Sequence, residues 1–247
     1  MSGIEHCQVL GPFNSGTVLM QSYVNHLFRN VRHDGFAYWK HSLPPRYQRN
    51  SDQRILMQDA VGEFPGVLLI CMVRSPYFWL PATCRRHYNF RFTTQSFDLG
   101  QRLRSPVYLK GELFINLARA WNGYYRGYAH YLEPMGRVIY VRLEDLVRNP
   151  AATIQRLETR LERRPESDVA AVVAKLSRRP SKSDNAFGSA WEEKNRLEHV
   201  TRTLRRQDLS FINQQIDPEL LKRFDYPLAW PAPECARPGL GASAAAR

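Results

Sequence analysis

Two apolar stretches, each ending at residues able to do chemistry, set the frame of this chain. Gly66–Val73 (GVLLICMV) is apolar throughout, which predicts a strand buried on both faces, as in the centre of a parallel sheet. Arg74 follows it directly. Near the N-terminus, Cys7–Leu10 is a shorter apolar run interrupted by Gln8. It passes into Gly-Pro-Phe-Asn-Ser-Gly-Thr, and apolar residues then recur at helical spacing as far as Leu27. The pattern predicts strand, tight loop and helix. Such a turn aims loop N–H groups and the positive end of the helix at one spot, which suits a phosphate. Gly11 and Gly16 let the backbone come close, and Ser15 and Thr17 add hydroxyl donors.

The rest of the chain reads as alternating strands and helices. Gly35–Leu43 (GFAYWKHSL) predicts a short aromatic strand stopped by Pro44-Pro45, placing Lys40 and His41 at the rim where parallel α/β sheets bind ligands. Asp52–Val61 predicts a polar helix. Arg91–Lys110 mixes Gly, Ser, Pro and Arg without periodicity and reads as an insertion or mobile loop covering a substrate. Gly111–Leu132 predicts a long helix whose stripe of Leu113, Leu117, Trp121, Tyr124, Tyr125 and Tyr128 belongs to the core. A strand at Arg137–Val141 and helices at Ala151–Leu161 and Ser167–Leu176 come next. Arg178–Trp191 is a loop by its Ser, Gly and Pro content, closing helices follow in Glu192–Tyr226, and Ala232–Arg247 reads as a disordered tail.

Composition narrows the classes. A chain of 247 residues suits one domain, here 1–231, followed by the 232–247 tail. Apolar content of 43% fits a globular protein, no run approaches the ~20 apolar residues of a membrane span, and no signal-peptide pattern is visible. The cysteines (Cys7, Cys71, Cys84, Cys235) are too scattered for a zinc site or a disulfide framework, so a cytoplasmic setting is expected. A net charge of +12 calls for an anionic partner. A polyphosphorylated nucleotide would serve, whereas no register of basic and aromatic residues points to nucleic acid.

The loop differs from the nucleotide-triphosphatase pattern G-x-x-x-x-G-K-[ST]. Gly11 and Gly16 are correctly spaced, but Thr17 and Val18 replace the Lys and the magnesium ligand. It resembles instead the phosphosulfate loop of sulfotransferases, K-S-G-T-T-W or R-S-G-T-T-L. Val73-Arg74-Ser75-Pro76-Tyr77-Phe78-Trp79-Leu80 is similar to that family's V-R-[DN]-P-Y-x-W-L-x-S, with Ala82 at the Ser and Thr83 one residue later. Lys40-His41-Ser42-Leu43-Pro44 resembles K-T-H-L-P with the His one place early. Leu143–Pro150 resembles Y-E-D-L-x-x-[DN]-P, with Leu143 at the Tyr.

The resemblance implies a P-loop-type three-layer α/β fold, with a short, mostly parallel sheet flanked by helices. It implies sulfuryl transfer from 3′-phosphoadenosine 5′-phosphosulfate, without a metal, to a hydroxyl or amine of an acceptor. Asn14, Ser15, Gly16, Thr17 and Val18 would hold the 5′-phosphosulfate, Arg74 and Thr83 the 3′-phosphate, and Lys40 and His41 would do the chemistry, with His33 and His87 as other candidate bases. Gly188 and Trp191, with a basic residue among Arg178, Arg179 and Lys182, would close the nucleotide pocket. Asn14 stands where many relatives carry a catalytic Lys or Arg, so a nucleotide-binding protein without turnover is the alternative. A nucleotide-dependent kinase is a further one.

Overall fold

A computed structural model of the chain describes residues 4–31, 40–44, 46–49, 53–56, 66–135, 137–177 and 204–229. Strand β1 (His6–Leu10) leads through the loop into helix α1 (Thr17–Leu27). A two-stranded hairpin of β2 (Arg46–Arg49) and β3 (Gln53–Leu56) precedes β4 (Val67–Val73), which is buried along its whole length. After β4 come α2 (Pro76–Arg85), β5 (Phe90–Phe92), α3 (Leu99–Arg104), β6 (Val107–Leu109), β7 (Glu112–Phe114) and α4 (Leu117–Tyr131). A 3-10 turn at Glu133–Met135 connects to β8 (Val138–Arg142). Helices α5 (Leu143–Arg148), α6 (Pro150–Leu161), α7 (Val169–Ser177), α8 (Arg206–Gln215) and α9 (Pro218–Arg223) complete the described chain.

The main sheet is parallel, in the order β1-β4-β8. Its register pairs Leu10 with Cys71 and Val73 with Arg142, so all three strands end at the same edge. Residues 11–16, Arg74 and Leu143-Glu144 therefore leave the sheet side by side. The central strand is apolar throughout because both its faces are covered. Leu69, Cys71 and Val73 pack with Trp121, Tyr124 and Tyr125 of α4, while Leu68, Ile70 and Met72 pack with Leu19, Met20 and Val24 of α1 and with Ile154 and Leu157 of α6. The result is a mixed α/β protein with a small parallel sheet between helices and small antiparallel sheets beside it. Among the described residues, no helix is long and apolar enough to cross a membrane.

Three segments differ from their sequence patterns. Gln53–Leu56 is a strand, not part of a helix over Asp52–Val61, because four residues are too few for periodicity to separate the two; 57–61 lies outside the described residues. Gly111–Leu132 is not one helix. Lys110 (φ +52) and Gly111 (φ +86) form a two-residue turn with both φ angles positive, joining β6 to β7, and the helix starts only where the Asn116 side chain accepts the Arg119 N–H at 3.0 Å. Arg91–Lys110 is not an irregular loop either. It supplies most of a three-stranded antiparallel sheet, β5-β6-β7, with α3 inserted between its first two strands.

Polar contacts from one buried and two more exposed residues hold this inserted unit. Arg102 donates from Nε to the Ser96 carbonyl (2.7 Å) and from Nη1 to the Cys84 carbonyl (2.5 Å), and its guanidinium lies over the rings of Phe92 and Phe97. Asp98 caps α3 through the Gln101 N–H and also accepts from Arg205 at 2.9 Å. Strands of three residues carry too little period to be read in sequence.

The expected loop at 178–191, the 192–203 part of the closing helices and the 232–247 tail lie outside the described residues, as do His33 and the start of the strand expected at Gly35–Leu43. Lys40–Leu43 is not strand: Lys40 and His41 form a turn, so the chain has left any strand by Lys40.

Candidate functional site

The loop between β1 and α1 is shaped by three residues with positive φ. Gly11 lies at φ +158, where a Cβ would meet the Ser15 hydroxyl and the Met72 carbonyl, and Gly16 at φ +88, where it would run into the Leu143 side chain. Asn14 sits at φ +63, a left-handed conformation that Asn accepts more readily than most residues. Leu143 thus occupies the space beneath Gly16, buried in the core. Helix α1 begins with the Met20 N–H bonded to the Gly16 carbonyl at 3.0 Å. Among the described residues no side chain caps its N-terminus, and its first turn holds no acidic residue. The positive end of α1 is therefore left to whatever anion approaches.

The loop's own side chains mostly turn inward. Ser15 is fully buried and donates its hydroxyl to the Pro12 carbonyl at 2.6 Å, so the turn is self-closed. Thr17 is buried, and Val18 is exposed. Asn14 reaches away along Nδ2 to Thr83 Oγ1 (3.3 Å) and the Arg86 carbonyl (3.4 Å), pinning the loop to the end of α2. Thr83 is fully buried beneath that contact.

Arg74 and the loop meet. Arg74 Nη1 donates to the Asn14 carbonyl at 2.9 Å, and the Arg74 carbonyl accepts from Trp121 Nε1 at 3.0 Å. Trp79, five residues into the same segment, donates its Nε1 to the Phe13 carbonyl at 2.5 Å. Behind Arg74, the buried Glu144 accepts the Ser75 N–H (3.0 Å) on one oxygen and the Tyr226 hydroxyl (2.8 Å) on the other. Burial pushes the Glu144 carboxyl above its usual range, while the nearby Arg74 charge and the Ser75 N–H oppose that shift. Burial likewise lowers Arg74, against the attraction of Glu144. Trp79, Trp121, Glu144 and Tyr226 are the supporting residues that sequence reasoning missed as site residues. Trp79 and Glu144 carried a signal in their motifs.

His41 and Lys40 lie against the other side of the loop. The Gly11 N–H bonds the Lys40 carbonyl at 3.0 Å, and His41 Nδ1 is 2.8 Å from the Gly11 carbonyl, which fixes that nitrogen as the protonated donor. The Tyr124 hydroxyl donates to the His41 carbonyl at 3.0 Å, and Pro44 fills the space that a Cβ at Gly127 would need. His41 is 7% exposed and stacked on Phe13 (4.0 Å between centroids, 28°), and Phe13 in turn is stacked on Tyr88 (4.9 Å, 7°). Burial drives the imidazole pKa down to about 4; the Gly11 carbonyl opposes this and the Lys40 charge adds to it. Lys40 itself is lowered by desolvation.

The structure therefore brings Asn14, Ser15, Gly16, Thr17, Arg74, Thr83, Lys40 and His41 around one loop, with Ser15, Thr83 and His41 buried within its packing. His87 lies outside this packing, exposed and edge-on to Phe92. Burial lifts the Cys7 and Cys84 thiols to about 12. No family model matches the chain, and no curated protein matches it.

Proposed function

We propose that this chain is a sulfotransferase with a P-loop-type α/β fold, moving a sulfuryl group from 3′-phosphoadenosine 5′-phosphosulfate to an acceptor hydroxyl or amine. The observation that carries this reading is the bond from Arg74 to the Asn14 carbonyl. It joins the two stretches most similar to the sulfotransferase pattern, 60 residues apart, at the open end of α1. Bound there, the donor would supply the sulfuryl group. The backbone amides of Gly16, Thr17 and Val18 and the α1 terminus would stabilise the leaving 5′-phosphate, in place of a metal. Arg74 would hold the 3′-phosphate, and Lys40 would add positive charge beside the loop.

Calorimetry with 3′,5′-adenosine bisphosphate and with adenosine 5′-monophosphate tests the assignment. A charge-assisted contact from Arg74 contributes ~1.5–3 kcal/mol, so the bisphosphate binds roughly ten- to hundredfold more tightly and Arg74→Ala removes that preference. Equal affinities, or a preference that survives the substitution, would sink the reading. A radiolabelled-donor assay run with and without EDTA then tests the absence of a metal; loss of activity restored by magnesium would favour a kinase.

One observation favours a second reading, nucleotide binding without turnover. A general base works best with a pKa near the operating pH, yet His41 is shielded by Phe13, commits Nδ1 to the Gly11 carbonyl and is held near 4. Turnover in the His41→Gln variant within a few-fold of wild type would remove His41 as the base. Tight bisphosphate binding with no sulfuryl transfer to any acceptor would establish the binder.

A further inference from the structure

The antiparallel sheet β5-β6-β7 carries an unusual surface. Among the described residues, seven large apolar side chains are exposed, and five of them (Tyr88, Phe97, Tyr108, Leu113 and Ile115) fall between residues 88 and 115, each from 45% to 86% exposed. The pairing register places Arg91 opposite Tyr108 and Tyr108 opposite Leu113, so a cation, an aromatic ring and an aliphatic side chain form one row on the solvent face. Phe90, Val107 and Leu109 point the other way into the core. Tyr88 is stacked on Phe13 and Phe97 lies under Arg102, so the outward row on the strands is Arg91, Tyr108 and Leu113, with Ile115 just beyond β7. Scattered apolar residues on a surface need no explanation, but paired ones in a row mark an interaction surface.

The charge around this row selects the occupant. Residues 85–119 contain seven Lys or Arg and two Asp or Glu. Of these, Arg102 is buried on backbone carbonyls, Arg104 is paired with Asp208 and Asp98 with Arg205, and the exposed Arg85, Arg91 and Arg119 outnumber Glu112. An anionic partner with apolar side chains matches both features. A nucleic-acid strand matches less well, because Leu113 and Ile115 offer no stacking face. We infer that the β5-β6-β7 face is a docking surface for an acidic polypeptide segment that presents apolar side chains between its carboxylates. Arg91 pairs with a carboxylate while Tyr108 and Leu113 receive the apolar side chains. The inner face of the sheet abuts the loop, where Phe90 meets Phe13 edge-on at 6.3 Å. The inference does not depend on sulfuryl transfer.

Fluorescence anisotropy on the full chain tests it, with a labelled peptide alternating Glu with Leu and Tyr as the probe. The wild type binds this peptide, and affinity falls by about tenfold or more in Arg91→Glu and again in the Tyr108→Ser, Leu113→Ser double variant. Those side chains are exposed, so the unfolding midpoint and the affinity for 3′,5′-adenosine bisphosphate stay at wild-type values, which separates this failure from failure of the nucleotide reading. The inference is overturned if the peptide does not bind, if the variants bind it as well as wild type does, or if single-stranded DNA or phosphatidylserine vesicles bind this face more tightly than the peptide.

Discussion

The β1–α1 loop and the β5-β6-β7 sheet touch at Phe13 and Phe90, yet they treat their polar and apolar groups in opposite ways. Around the loop, polar groups turn inward and find partners: Ser15 on Pro12, Asn14 on Thr83, Arg74 on the loop carbonyl, Glu144 between Ser75 and Tyr226. On the sheet, apolar groups turn outward beside cations. The loop is thus a shape fixed before any ligand arrives, built from groups whose removal leaves a buried partner stranded. The outward row of the sheet, by contrast, is a surface whose side chains do little for the fold. Substitutions should hence be costly in the first region and nearly silent in the second.

The largest effect is expected at Trp121, fully buried and bonded to the Arg74 carbonyl, where Trp121→Ala creates a cavity and orphans that acceptor. A loss of ~3–5 kcal/mol in urea unfolding is expected; a change under 1 kcal/mol would end the contrast. Next comes pH. The ordinary His pKa of about 6.5 describes the unfolded chain, while folded His41 titrates near 4, so below 6.5 the unfolded state binds the proton first. Stability from keeping His41 neutral is complete above pH 6.5 and is lost as pH falls towards 4, in total about 3 kcal/mol. Denaturation of wild type and His41→Gln across this window should show that slope in the former and its absence in the latter.

A smaller cost, ~1–3 kcal/mol, is expected for Gly16→Ala, which must hold φ +88 and displace Leu143; it should weaken bisphosphate binding as well. Unchanged calorimetric affinity in that variant would detach the loop's shape from its binding. The smallest effect belongs to the sheet. Ile115→Ser should shift stability by no more than about 0.5 kcal/mol, and a larger loss would show that the exposed face supports the fold after all.

Long-period signals were the legible ones. Val67–Val73 could be read as the central strand because burial on both faces leaves no polar position, and the Gly11–Gly16 turn because positive φ demands residues of that kind. Leu117, Trp121, Tyr124, Tyr125 and Tyr128 of α4 belong to the core as their spacing implied, whereas Leu113 is exposed on β7 and the helix begins only at Asn116's cap. The inserted sheet was illegible: its strands are three residues long, and it is secured by Arg102 reaching the Ser96 and Cys84 carbonyls, a matter of side-chain direction. At the site, sequence order placed Arg74 and the loop at the same sheet edge. It could not show that Ser15 faces inward, that Phe13 covers His41, or that Tyr226 returns to Glu144, because these depend on side-chain direction and on contacts between residues far apart in sequence.

The two indoles that brace the loop have an optical consequence. Trp79 Nε1 is bonded to the Phe13 carbonyl and Trp121 Nε1 to the carbonyl of Arg74, whose side chain holds the Asn14 carbonyl, so one chromophore is attached to the loop directly and the other through Arg74. Any ligand that moves residues 13 or 74 alters the polarity at an indole N–H and shifts its emission. The loop thereby carries a built-in fluorescent reporter, and occupancy can be followed without a label attached to protein or ligand.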